Sequence, residues 1–493
     1  MEQLELLSGL QIGELVNSGE LSPVEIIQYF AKRIEKRNSS INAFVYTKID
    51  EAIEDAKKLE AKLSRLSPVE RRINYPFAGV PIGLKDFLPS KKGWTNSHGG
   101  VKSLIRIDDG DSQFYRSVSN YGAIAIGKTN APPFGFKGTC DNALYGPTHN
   151  PFNLKYNSGG SSGGTAAAVA DGLIPFGEGG DAGGSIRIPA AWCNCFGFKP
   201  SVGLIPSVCR PDGWAATHPF CFNGTITRTV ADSVAVFMCM NEYNPLDPIS
   251  VPRNYKNYLE LMNRPINGMR IGITYDFNLF PNNTSISESI KSAASVLNRE
   301  GAYMDKAEFD FRFSLEEMAK CWCWSISVDT ALDLDAWKAE GLDLVKDHSD
   351  ELTPEFIKWN DYAAHATIHD MRKFNEIRTD ILDNFERVFK LYDVIISPVT
   401  CCSPLTNESG GHCTSCGFVP DIDFIAFGET FLVNFVGYPA ASVPIGLNKD
   451  GLPVGMQIIG KKYHDEDVLK VARMIEKLMP WEGYYKIPYE RTI

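Results

Sequence analysis

Two glycine-flanked serine clusters stand close together in this chain, GGSSGG at Gly159–Gly164 and GGDAGGS at Gly179–Ser185. Ser161 and Ser185 are 24 residues apart. Glycine admits close backbone approach and serine is common in loops, so one such loop alone reads as structure or as a phosphate cradle. GGSSGGT lacks the GK[ST] ending of a P-loop, which argues against phosphate. GGSSGG also fits G-x-S-x-G, centred on Ser161 or Ser162, but His412 and His464, the downstream histidines such a hydrolase would use, sit in no distinctive context. A third chemistry uses both clusters. Cleaving an amide needs an activated nucleophile, donors for the oxyanion and an acid for the leaving amine. Gly183-Gly184-Ser185 offers a serine beside backbone N–H groups that can turn toward one point. The base need not be histidine, because desolvation lowers the pKa of a buried lysine until it is neutral. Lys85 ends an apolar run and suits that role. A serine between lysine and nucleophile would relay the proton.

These residues need elements to hold them. FAGVPIGLKDF, Phe77–Phe87, is mostly apolar, is bounded by proline and glycine, and reads as a buried strand that delivers Lys85. GAIAIGKTN, Gly122–Asn130, reads as a second. Upstream, Ser22-Pro23-Val24-Glu25 combines a capping serine, a proline at the first helical position and a glutamate at N3. Ile26, Ile27, Phe30 and Ile34 then share one helical face, and a charged helix is expected at Asp50–Ser64. Downstream, Met269–Tyr275, Asp393–Val399, Ala441–Leu447 and Pro453–Gly460 read as strands. Ser285–Glu288 reads as a helix start with a capping box, Phe311–Lys390 as helical, and DEDVLKVARMIEKLM as a closing amphipathic helix. Alternating strands and helices, with no repeat and no clear linker, argue for one large α/β domain.

The 493 residues are 44% apolar and 22% charged, an ordinary globular composition with enough chain for a large core. A net charge of −11 with both signs interspersed argues against a nucleic-acid surface. The opening MEQLELLSGLQ is acidic and lacks an apolar run, unlike a signal peptide. No stretch approaches the roughly 18 consecutive apolar residues of a spanning helix. A cytoplasmic protein is expected, its twelve cysteines reduced rather than paired.

The run of motifs is identified with the amidase signature family. GGSSGG, AAAVADGL, GGDAGGSIRIPAA and GFKPSVGLIP follow in order, and GVPIGLKDF, GKTNAPPFG and YGPTHNPFN support them. The resemblance runs from about Leu10 to Gly203 and resumes from Asp393 to the C-terminus. It implies a single domain over 1–493, with a central mixed β-sheet covered by helices on both faces. Within it, residues 1–70 would form an N-terminal helical region, 75–235 the signature core and about 310–430 a variable, substrate-shaping region. The family's Ser–cis-Ser–Lys triad carries over by position. Ser185 aligns with the acylated nucleophile, Ser161 with the bridging serine on a non-proline cis peptide, and Lys85 with the general base. The backbone N–H groups of Ala182, Gly183, Gly184 and Ser185 align with the oxyanion hole, while Ser162, Asp181 and Arg187 align with supporting positions. No metal or organic cofactor is expected. The expected partner is a small-molecule amide, with no nucleic acid and no membrane, and with a homodimer left open.

Departures from the family pattern touch substrate preference and loop detail. Ala182 stands where threonine is frequent, Pro133 where glutamate is, and Ser158 where proline is. Cys401, Cys402, His412, Cys413 and Cys416 fall within 16 residues, and HCTSC contains a CxxC that zinc could use. The second CxxC of a zinc ribbon is missing, so reduced loop cysteines are the preferred reading. His365 and His369 have i, i+4 spacing without the glutamate of HExxH and read as surface histidines. Cys321 and Cys323 in CWCW, and Cys193 and Cys195 after Ser185, read as core.

The resemblance implies amide hydrolysis and leaves the substrate open. The stretches Cys321–Asp361 and Thr400–Glu429 are rich in Trp, Phe and Cys, which favours an apolar aryl or alkyl amide, with a weaker pull toward cyclic oligoamides. The alternative is the glutaminase component of a tRNA-dependent amidotransferase. IRIPAA lacks the glutamine of the IRQPA-type stretch of that branch.

Overall fold

Val394 and Ile396 pack into one hydrophobic core and Ile395 into another, and Ile458 and Ile459 divide the same way. Successive strand side chains point to opposite faces, so both faces of this sheet are buried. The computed structural model describes residues 3–87, 90–252 and 255–491. Eleven strands form the sheet: β1 Phe44–Thr47, β2 Pro81–Lys85, β3 Ile124–Thr129, β4 Phe176–Asp181, β5 Phe196–Lys199, β6 Phe222–Thr227, β7 Arg270–Ile273, β8 Tyr303–Lys306, β9 Val394–Pro398, β10 Ala440–Leu447 and β11 Pro453–Gly460. Their order is β1-β3-β2-β4-β6-β5-β10-β11-β9-β7-β8. The sheet is mixed. β2 runs parallel to β3 and β4, and β7 parallel to β8 and β9, whereas the strands from β4 through β6, β5, β10 and β11 to β9 are antiparallel neighbours.

Helices cover both faces, in keeping with the α/β expectation. One core takes Ile290, Ala293 and Leu297 from helix Thr284–Arg299, and Val468, Leu469 and Ala472 from helix Asp465–Leu478. The other takes Met318 and Trp322 from helix Leu315–Ala339, and Phe374, Ile377, Ile381 and Phe385 from helix Ile368–Phe389. Among the described residues, no helix is long and apolar enough to cross a membrane.

Two readings of the sequence need amendment, and three strands are not foreseen. Residues 3–70 hold helices but also the strand Phe44–Thr47, whose FVYT is β-branched and aromatic and pairs with β3 at the sheet edge. The glycine-rich β4, β5 and β6 carry little periodicity, and the pattern of the sequence does not reveal them as strands. The helix after β7 is capped by Asn283, whose side chain accepts from the Ser285 and Ile286 N–H groups, so Ser285 lies inside the helix and is not its cap. The Ser22–Glu25 capping box is formed.

One relation positions the chemistry. β2 and β4 are parallel neighbours, with Ile82 opposite Phe176 and Gly83 opposite Gly177. Their C-terminal ends therefore open at the same sheet edge, one delivering Lys85 and the other the loop that begins at Asp181. This is the edge where open α/β sheets bind ligands.

Candidate active site

Lys85 ends β2 almost fully buried, and its Nζ donates to Ser161 Oγ at 2.7 Å. The Phe87 ring lies 5.5 Å from the same Nζ. Burial pulls the ammonium down to about 8, against the opposing pull of Glu178 and Asp181. A fraction of Lys85 is thus neutral near neutral pH and able to take a proton. Glu178 on β4 accepts from the Lys85 backbone N–H at 3.0 Å, and burial lifts its carboxyl to about 7.

Ser161 is buried and the Gly160–Ser161 peptide is cis. Glycine is required at 160, because a Cβ there would lie 2.3 Å from the Thr139 carbonyl oxygen. Ser162 N–H donates to the Ser185 carbonyl at 3.2 Å, tying the two serine loops together. Ser162 Oγ exchanges bonds with the Gly180 N–H at 3.3 Å and the Gly180 carbonyl at 3.4 Å. Helix Gly163–Ala170 follows, buried along its whole length, which its small residues permit. Ser185 itself is half-buried and so open to solvent.

The loop from Asp181 to Ser185 is held from three sides. The Asn434 amide donates to the Asp181 carbonyl at 3.0 Å, Trp322 Nε1 to the Ala182 carbonyl at 3.0 Å, Thr430 Oγ1 to the Gly183 carbonyl at 2.6 Å, and Ile188 N–H to the Gly184 carbonyl at 2.7 Å. In a trans peptide the next N–H points opposite the carbonyl, so anchoring the oxygen aims the donor. The N–H groups of Ala182, Gly183 and Ser185 are thereby oriented away from Asn434, Trp322 and Ile188. Gly184 differs. Its N–H donates to Asp181 Oδ1 at 2.8 Å, which corrects the expectation that it serves the oxyanion.

Asp181 and Arg187 brace this loop. Arg187 Nε and Nη2 meet Asp181 Oδ2 and Oδ1 at 2.9 and 2.8 Å, with both side chains wholly buried. The other guanidinium protons reach the Thr430 carbonyl, Gln457 Oε1 and Asn434 Oδ1. All five donors of the fork are used. Burial raises the Asp181 carboxyl, but the Arg187 charge and hydrogen bonds outweigh it and hold it at about 2.

An aromatic wall faces the serines. Phe136 stacks on Trp322 with centroids 6.0 Å apart, and Phe356 and Phe424 stand against Phe136. A Cβ on Gly135 would lie 3.2 Å from Ser161 Oγ, so this wall begins beside Ser161. Trp322, Thr430, Asn434 and Gln457 carry no local signal. Only the aromatic richness of the 310–430 region hints at Trp322. Cys323 is buried and Cys321 half-buried, as core residues should be, and Cys193 and Cys195 are fully buried. His412 bonds Asp423 and His464 is exposed beside Asp467, which removes the context a nucleophile-elbow histidine would need. His365 and His369 are exposed.

Comparison with known proteins shows the family. The model of the Amidase family matches residues 25–469. The chain is 31% identical over 485 residues to an acylamidase of Rhodococcus erythropolis, covering 97% of each. It is 29% identical over 486 residues to a glutamyl-tRNA(Gln) amidotransferase subunit of Halothermothrix orenii, covering 95% of this chain and 96% of that one. The crystal structure of a bacterial aryl acylamidase of the amidase signature enzymes superposes with a TM-score of 0.93 at 35% identity over 99% of both chains. The chain belongs to the amidase family, the amidase signature enzymes, and is an amide hydrolase.

Proposed function

We propose that the protein hydrolyses an apolar aryl or alkyl carboxylic amide through an acyl-enzyme on Ser185. The observation that carries the mechanism is the buried 2.7 Å bond from Lys85 Nζ to Ser161 Oγ beside the half-exposed Ser185. Neutral Lys85 accepts the Ser161 proton, Ser161 accepts that of Ser185, and Ser185 Oγ attacks the amide carbonyl. The N–H groups of Ala182, Gly183 and Ser185 receive the oxyanion. The relay then runs backward to protonate the leaving amine, and water releases the acid by the same route. Ser162, Asp181 and Arg187 hold the loops and touch no substrate.

The substrate class rests on the Phe136–Trp322 wall and on the acylamidase and aryl acylamidase relatives. The second reading, the glutaminase component of an amidotransferase, is favoured by the relationship to the Halothermothrix orenii protein. Against it, Ile188 is buried, and a Cβ on Gly184 would come within 3.0 Å of Ile188 Cδ1, so an apolar side chain stands where that branch carries a polar one.

A serine-directed fluorophosphonate, followed by peptide mass spectrometry, tests the mechanism. An adduct on Ser185 that disappears in Lys85→Ala is expected. An adduct on Ser161 or Ser162 would overturn it. A panel of acyl anilides, alkyl amides, a cyclic oligoamide and glutamine, with Ser185→Ala as control, tests the class. Glutamine as the best substrate would install the second reading.

A further inference from the structure

Four cysteine side chains converge beyond the aromatic wall, and the hydrolytic scheme uses none of them. Cys401 and Cys402 follow β9. Cys413 caps the single turn Thr414–Cys416 and Cys416 ends it, and Gly417 closes it at φ +72°. The Sγ atoms of Cys402, Cys413 and Cys416 all lie within 4.8 Å of one another. Cys416 Sγ is 3.1 Å from Cys413 Sγ and 3.8 Å from Cys401 Sγ. Cys401, Cys402 and Cys413 are buried and Cys416 is half-buried. In a tetrahedral zinc site, bonds of about 2.3 Å set the sulfurs about 3.8 Å apart. Three of the thiols are thus gathered within the range such an ion spans, and Cys401 stands beside one of them, Cys416. His412, adjacent in sequence, is turned elsewhere: its Nδ1 is 2.8 Å from Asp423 and its Nε2 3.5 Å from Glu355.

We propose that Cys402, Cys413 and Cys416, with Cys401 as the fourth ligand, hold one structural zinc ion. Sulfur donors select a soft ion over magnesium or calcium, and four protein ligands leave no open position for substrate. All four are free thiols, not joined in disulfides, and so available as donors. Each thiol releases its proton to solvent as it binds.

The ion would fasten the loop that carries the aromatic wall. Cys401 N–H donates to the Phe427 carbonyl at 2.9 Å, and Cys413 N–H to the Asp423 carbonyl at 3.0 Å. Phe427 stacks on Trp192 with centroids 5.5 Å apart, and Phe424 packs at 5.5 Å on Phe136. Phe136 in turn stacks on Trp322, which aims the Gly183 donor. The site is therefore structural, and its influence on catalysis runs through packing.

The full chain, produced in zinc-supplemented medium and dialysed without chelator, is assayed for metal by inductively coupled plasma mass spectrometry. One zinc per chain is expected. Replacement by cobalt(II) is expected to produce thiolate-to-metal charge-transfer absorption and the intense visible bands of a tetrahedral thiolate site. Cys413→Ser and Cys416→Ser are expected to lose the ion, while Cys209→Ser, outside the cluster, keeps it. The wild-type stoichiometry and cobalt spectrum stand even where a variant fails to fold. Wild-type protein that takes up neither metal would overturn the proposal. So would full zinc retention in both cluster variants, or a Cys413–Cys416 disulfide in unreduced peptides.

Discussion

Trp322 Nε1 donates to the carbonyl of Ala182 at 3.0 Å, and its ring lies so close that a Cβ on Gly183 would sit 2.6 Å from Cζ2. One side chain, 140 residues away in sequence, thus holds the Asp181–Ser185 loop and forms part of the wall beside the proposed relay. Trp322→Phe keeps the ring and removes the donor. Steady-state kinetics on an acyl anilide should show kcat falling by roughly 10-fold, with KM moving less, because the lost bond aims a donor used in the transition state. Trp322→Ala should also lower activity on acyl anilides more than on alkyl amides, as a residue of the aromatic wall would. Unchanged kcat in the phenylalanine variant would mean that the loop holds its shape without this bond.

Lys85 titrates at about 8, and its neutral form is the proposed base. The logarithm of kcat/KM should therefore rise with a slope of about one below pH 8 and level off above it. Stability follows the same titration with a definite sign. Burial lowers the folded-state value from the ordinary 10.5, so between about pH 8 and 10.5 the unfolded chain binds the proton more readily. This group's contribution to unfolding free energy rises with pH across that window and is constant outside it. A pH–rate profile that is flat from pH 6 to 9 would remove Lys85 from the role of base.

Arg187 spends all five donors in a wholly buried site. Arg187→Met should cost about 3–5 kcal/mol, because Asp181 is left charged and unpaired. Urea denaturation checks this. The double variant Asp181→Asn/Arg187→Met should recover part of the loss, since the buried charge goes with its partner.

Gly184 lies at φ +128°, and a Cβ there would fall 2.0 Å from Thr430 Oγ1. Gly184→Ala should destabilise by about 1–3 kcal/mol through overpacking, with backbone strain added. Adding Thr430→Ala removes the hydroxyl contact but leaves the residue 430 Cβ at 2.7 Å and frees the Gly183 carbonyl, so stability should return only in part while kcat stays low. Full recovery of kcat would show that Thr430 does not aim the loop.

The residues proposed to do the chemistry are legible because their motifs are short-range. Lys85 at the end of an apolar strand and serines bounded by glycine are local features of the chain. The strands β2, β3, β9, β10 and β11 are equally plain, as apolar runs between proline and glycine. β4, β5 and β6 are not. FGEGGD and FGFK sit in the middle of a sheet buried on both sides, where glycine replaces the alternation that marks a strand.

Local pattern is thus enough for the signature motifs, the order of the chemical groups and the class of fold, because glycine, buried lysine and hydrophobic periodicity act over a few residues. Which donors point into the site is a property of the folded chain alone. Gly184 N–H is taken by Asp181, while Trp322 and Asn434 arrive from 140 and 253 residues away to orient the Gly183 and Ala182 N–H groups. Hydrogen-bond direction depends on where a distant side chain comes to rest, and that is settled by the packing of helices Leu315–Ala339 and Phe431–Val436 against the sheet. The same packing brings four cysteines together and turns His412 away, a distinction that their spacing along the chain does not contain.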